Sequence, residues 1–151
     1  MPHTLILGYG NTLRGDDGAG RAVAQRLREA LTGPGFEILS LHQLTPELAQ
    51  NLSQAGQAIF IDASASGRPG RYMRVPLHAA PACAQFTHQA TPEALLAAAR
   101  ALYGRSPEAT LYLIPGQDFE TPDSLSKPVR LAVDQLVSHL TESLRTAAPQ
   151  R

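Results

Sequence analysis

Three observations predict an α/β fold: a single-domain three-layer sandwich whose mostly parallel, twisted sheet carries helices on both faces. Strand-like and helix-like segments alternate along most of the 151 residues, the pattern of parallel strands joined by crossover helices. The best strand segments are nearly continuous in apolar residues, as strands covered on both faces are. No Gly/Ser linker or charge block divides the chain, so residues 1–151 are expected to form one domain, with the tail beyond about Arg145 frayed.

The elements follow in order. Leu5-Ile6-Leu7 reads as a strand, and Gly8 to Gly20 as a tight loop. Ala22, Val23, Leu27, Ala30 and Leu31 then stand at helical spacing. Phe36–Leu41 is a second strand. Thr45-Pro46-Glu47 predicts the start of a short helix, with a capping residue and a proline in the first turn, and Gly56 its end. Ala58-Ile59-Phe60-Ile61 is a third strand with Asp62 at its carboxyl end. The run Arg71–Val75 suits an edge strand or an arm, because Pro76 cannot donate to a central ladder.

Thr91-Pro92-Glu93 caps a helix with Leu95, Leu96, Ala99 and Leu102 on its apolar face and Gly104 as its stop. Leu111–Ile114 is a further strand. A last helix from about Ser126 buries Val129, Val133, Leu136, Val137 and Leu140.

Composition removes several function classes. Thirteen basic residues balance thirteen acidic ones and are scattered, so there is no footprint of a nucleic-acid binder. The apolar stretches are strand-sized and no signal-peptide pattern opens the chain, which predicts no membrane insertion and a cytoplasmic protein. A single cysteine, Cys83, excludes an internal disulfide framework, and nothing cationic lies beside it to make it a nucleophile.

The loop Gly8-Tyr9-Gly10-Asn11-Thr12-Leu13-Arg14-Gly15-Asp16-Asp17-Gly18-Ala19-Gly20 carries the chemistry. A glycine-rich turn between strand and helix first suggests a dinucleotide fingerprint, and hence a small nucleotide-binding domain. The third glycine position, however, holds Leu13, and Asp16 and Asp17 stand where a phosphate needs bare amides and positive potential. Those carboxylates suit a cation instead, although either one could serve simply as an N-cap.

In a parallel sheet the loops leaving the carboxyl ends of strands converge. That brings Asp16 or Asp17 toward Asp62 and toward His88, which precedes a helix N-terminus, with His42 at the end of the second strand as the next candidate imidazole. Two carboxylates and an imidazole suit a borderline divalent ion such as nickel or zinc.

Taken together, the first loop, Ile61-Asp62-Ala63, Thr87-His88-Gln89 and Leu125-Ser126-x-Pro128-Val129 resemble, in order and spacing, the hydrogenase maturation protease family. The resemblance implies an endopeptidase that removes a C-terminal extension from the large-subunit precursor of a nickel-iron hydrogenase after nickel insertion. It also implies that Asp17, Asp62 and His88 are the metal-binding and catalytic positions, and that Asp16 is a neighbouring acidic residue outside the ligand set. Nickel, brought by the precursor, would be the recognition signal, and the protease a monomer. A non-enzymatic nickel-sensing module that binds the same precursor is the alternative of a different class. Arg14, or Arg71 and Arg74, would then be available to acidic residues of the substrate.

Overall fold

The computed structural model describes residues 3–79 and 90–147; Cys83, His88 and the tail beyond Ala147 lie outside the described residues. Five strands, β1 (His3–Tyr9), β2 (Phe36–Leu41), β3 (Ala55–Ser64), β4 (Met73–Leu77) and β5 (Glu108–Pro115), form one sheet in the order β2-β1-β3-β5-β4. β1, β2, β3 and β5 run parallel. β4 pairs antiparallel with β5 on the edge, where Pro76 is tolerated.

Alternation along the strands builds two apolar layers. Ile6, Ile59, Ile61 and Ile114 face α1 (Ala19–Ala30) and α4 (Lys127–Ala147), meeting Val23, Leu27, Val133 and Leu136. Leu5, Leu7, Ala58 and Phe60 face α2 (Leu48–Gln54) and α3 (Pro92–Tyr103), meeting Leu48, Leu52, Leu95 and Leu96. The predicted three layers are therefore present, because each central strand has a complete apolar set on both faces.

The ends of α3 follow the expected cap chemistry. Thr91 accepts the Ala94 amide at 3.1 Å, and Gly104 closes the helix at φ 85°. Elsewhere the structure corrects the sequence reading. The helix expected from Thr45 begins at Leu48, because Thr45–Glu47 form a tight turn whose carbonyls accept the Leu48, Ala49 and Gln50 amides three residues on.

Gly56 does not stop α2. Ala55 already pairs with His3, and the register skips Gly56 between Ala55 and Gln57, so the glycine is a bulge inside β3. Leu102 is 71% exposed because the whole last turn of α3, residues 100–103, carries no packed side chain. α4 continues past Arg145 to Ala147. No helix among the described residues is long and apolar enough to cross a membrane.

Topology places the site. From β1 the chain passes to β2 on one side and then to β3 on the other, so the switch point lies between β1 and β3, and their carboxyl ends open a crevice there. Helix α1 sits tightly on that end of the sheet. A Cβ on Gly8 would collide with the Gly20 carbonyl, and one on Gly20 with the Ile61 carbonyl.

Gly20→Ala is therefore expected to destabilise the protein by about 2 kcal/mol or more, reversing the gain an alanine gives in an open helix. Chemical denaturation against the wild type checks the sign.

Candidate functional site

The loop after β1 is held by its own polar groups. Thr12–Gly18 form a 3-10 segment interrupted at Arg14 and Gly15. The Asn11 side chain accepts the Leu13 amide at 2.9 Å, its carbonyl accepts the Arg14 amide at 3.0 Å, and its own amide donates to Asp17 Oδ2 at 2.7 Å. Gly10, at φ 150°, donates to the Leu41 carbonyl, and a side chain there would strike the Asp17 carbonyl. The amides a pyrophosphate would need are thus already engaged, which argues against the nucleotide reading.

The two adjacent aspartates do different work. Asp16 is fully buried and its carboxylate accepts four hydrogen bonds, from the Gln117 and Asp118 amides at 2.8 Å and from the Ser126 amide and hydroxyl at 2.7 Å. Its own amide returns a bond to the Asp118 carbonyl at 2.8 Å. Burial pushes the Asp16 carboxyl up, but the donors from Asp118, Ser126 and Gln117 outweigh it and hold the group below its ordinary value. Asp16 is the brace between this loop and the segment joining β5 to α4. The structure thereby separates the two carboxylates that the sequence pattern left equivalent.

Asp17 faces the crevice. It lines a cavity of about 270 Å³ together with Asp62, Tyr9, Arg14, His42 and Ala90. Asp62 stands near the end of β3 and accepts the Ala63 amide at 2.8 Å. Burial raises its carboxyl to about 6, Asp17 adds repulsion, and the Ala63 amide and the Tyr9 hydroxyl oppose the shift. Tyr9 is itself raised above its ordinary value, first by burial and then by the Asp62 charge.

Of the sequence-predicted site residues, Asp17 and Asp62 come together, and His88 lies outside the described residues. His42, the second-choice imidazole, lines the same cavity. Among the described residues no cluster of three His, Cys, Asp or Glu side chains is close enough to hold a metal ion. Sequence reasoning missed Tyr9 and the role of Ser126. The Leu125-Ser126-x-Pro128-Val129 run was visible, but its contact with Asp16 spans 110 positions.

No family model and no curated protein matches this sequence. Solved structures do. The NiFe hydrogenase maturation protease HycI from Thermococcus kodakarensis KOD1 superposes with a TM-score of 0.78 at 21% identity, covering 95% of this chain and 92% of its own. The hydrogenase maturating endopeptidase HybD from E. coli gives 0.77 at 24% identity, with 97% and 94% covered. The hydrogenase 2 maturation peptidase from Thaumarchaeota archaeon SCGC_AB-539-E09 gives 0.67 at 24% identity, with 94% and 97% covered. This chain has the fold that these maturation proteases share, over nearly its whole length.

Two outcomes are expected from the carboxylates. Asp16→Ala leaves four donors unpaired in the brace and should cost about 3 kcal/mol or more in denaturant unfolding. Asp62 has a folded-state value of about 6 against an ordinary 3.8, so ionising it weakens the fold as pH rises through that window. In the metal-free protein, Asp62→Asn should therefore be more stable than wild type by about 2 kcal/mol at pH 7. That advantage should disappear below about pH 4, and thermal melts across pH 3–7 measure it.

Proposed function

We propose that this chain is an endopeptidase that trims the C-terminal extension from the nickel-loaded large-subunit precursor of a nickel-iron hydrogenase. The observation that carries this reading is the meeting of Asp17 and Asp62 in one cavity at the switch point, within a fold shared by proteins named as hydrogenase maturation proteases.

The donor chemistry fits a cation carried by the substrate. Asp62 is raised by burial and by the neighbouring Asp17, so the pair gains when a positive ion enters between them. Carboxylate oxygens with one imidazole suit a borderline divalent ion such as nickel. In this reading the imidazole is that of His88. Ala90, two residues further on, lines the cavity, which supports the assignment. Bound there, the ion would supply Lewis-acid polarisation of a carbonyl.

The chain's own groups do the rest. The Asn11 amide holds Asp17 in place, and the Tyr9 hydroxyl with the Ala63 amide orients Asp62. One of the two carboxylates takes a proton from the attacking water; as the peptide C–N bond breaks, that proton passes to the leaving amine. Two carboxylates and one imidazole leave part of an ion's coordination open, so the site is weak until the precursor supplies the remaining ligands. Only a precursor already carrying nickel engages it fully, and cleavage becomes a check on metal insertion. The protein would act as a monomer in the cytoplasm on a folded subunit.

The test compares nickel-loaded and nickel-free precursor by the mass of the large subunit. Loss of a C-terminal peptide from the loaded form alone is the expected result. Complex formation without shortening would instead favour the nickel-sensing binding module.

In the same assay Asp17→Asn and His88→Ala should each reduce trimming by about 100-fold or more while their melting curves stay cooperative. His42→Ala should trim within about threefold of wild type. The reverse pattern for the two histidines would assign the nitrogen ligand to His42.

A further inference from the structure

The sequence offers three arginines to a substrate, and the structure sorts them. Arg14 lines the cavity of Asp17 and Asp62. Arg74 lines a different cavity, with Arg100 and Glu108, at the end of β5 where it pairs with Gln57 rather than with Asp62. Arg71 is exposed and lines neither of these cavities.

Arg14 is anchored but uncommitted. Its amide is fixed to the Asn11 carbonyl at 3.0 Å, and the next residue, Gly15, is locked at φ 55°. Its side chain is exposed, and among the described residues it makes no ion pair, even with two carboxylates in the same cavity. A guanidinium serving to balance Asp17 or Asp62 would be paired with one of them. Beside it Leu13 is 64% exposed, its amide tied to the Asn11 side chain. The backbone thus presents a cationic side chain to the cavity and, from the adjacent residue, an exposed apolar one.

We propose that the Leu13–Arg14 tip determines specificity: Arg14 binds a carboxylate of the substrate protein close to the scissile bond, and Leu13 covers an apolar side chain next to it. The inference rests on the endopeptidase reading. Once a substrate-borne cation engages Asp17 and Asp62, the cavity's negative charge is offset and the Arg14 charge is left to attract an anion. The planar guanidinium matches a carboxylate in two parallel hydrogen bonds, a geometry lysine lacks.

The experiment is steady-state trimming of the nickel-loaded precursor by wild type, Arg14→Gln, Arg14→Lys and Leu13→Ser. Arg14→Gln is expected to raise KM about tenfold with kcat within about twofold, and Arg14→Lys to recover part of the loss. Leu13→Ser should raise KM by about threefold or more. Precursors with single Asp→Asn or Glu→Gln changes flanking the scissile bond identify the partner. One of them should reproduce the KM rise and add nothing when combined with Arg14→Gln.

Unchanged KM in Arg14→Gln overturns the proposal, as does a loss confined to kcat, which would put Arg14 on the reacting atoms. Additive effects with every precursor variant also overturn it. These results leave the endopeptidase reading standing, provided the wild type trims. If the wild type shortens no precursor, the reading itself falls and this inference with it.

Discussion

A buried carboxylate with four donors organises the loops at the carboxyl end of the sheet. Asp16 ties the loop after β1 to the segment between β5 and α4, two stretches about a hundred positions apart in sequence. Hydrogen bonds to an ionised acceptor are about twice as strong as neutral ones, and removing that acceptor strands every donor at once. The brace also directs its neighbour. In a tight 3-10 turn, adjacent side chains diverge by about 120°, so burying Asp16 turns Asp17 outward to the crevice. The carboxylate that lines the crevice is aimed by the one that is buried.

The second constraint is the absence of side chains where α1 meets the sheet. Gly8 and Gly20 let backbone lie on backbone at the ends of β1 and β3. Asp17 lies three residues before Gly20 and Asp62 directly follows Ile61, so this packing fixes the backbone on which both carboxylates stand. Burial raises the Asp62 carboxyl there, and the charge of Asp17 adds to it.

Much of the fold was legible because local signals and tertiary demands agreed. Phe36–Leu41 is bounded as its apolar run predicts, and α3 begins and ends on Thr91 and Gly104. Legibility failed where distant contacts decided. Gly56 looks like a helix stop, yet it is a bulge because Ala55 is already claimed by β1. Leu102 has the right helical phase but lies in a turn with nothing to pack on. Asp16 and Asp17 are indistinguishable by position alone, and only the arrival of Gln117, Asp118 and Ser126 tells them apart. For the imidazole, local sequence ranks His88 ahead of His42, whereas the described part of the cavity contains His42.

The loop's commitments also bound how such a protein can diverge. Gly8, Gly10, Gly15 and Gly20 are held by close approach, Asn11 by its caps, Asp16 by the brace and Asp17 by the crevice. Changing one of the glycines, Asn11 or Asp16 disturbs the architecture, and changing Asp17 alters the crevice itself. Leu13 and Arg14 contribute only their backbone to that lattice, so their side chains are free to vary. On the specificity role proposed for Leu13 and Arg14, a duplicated copy of this chain would acquire a new client through two codons, with the loop behind them untouched.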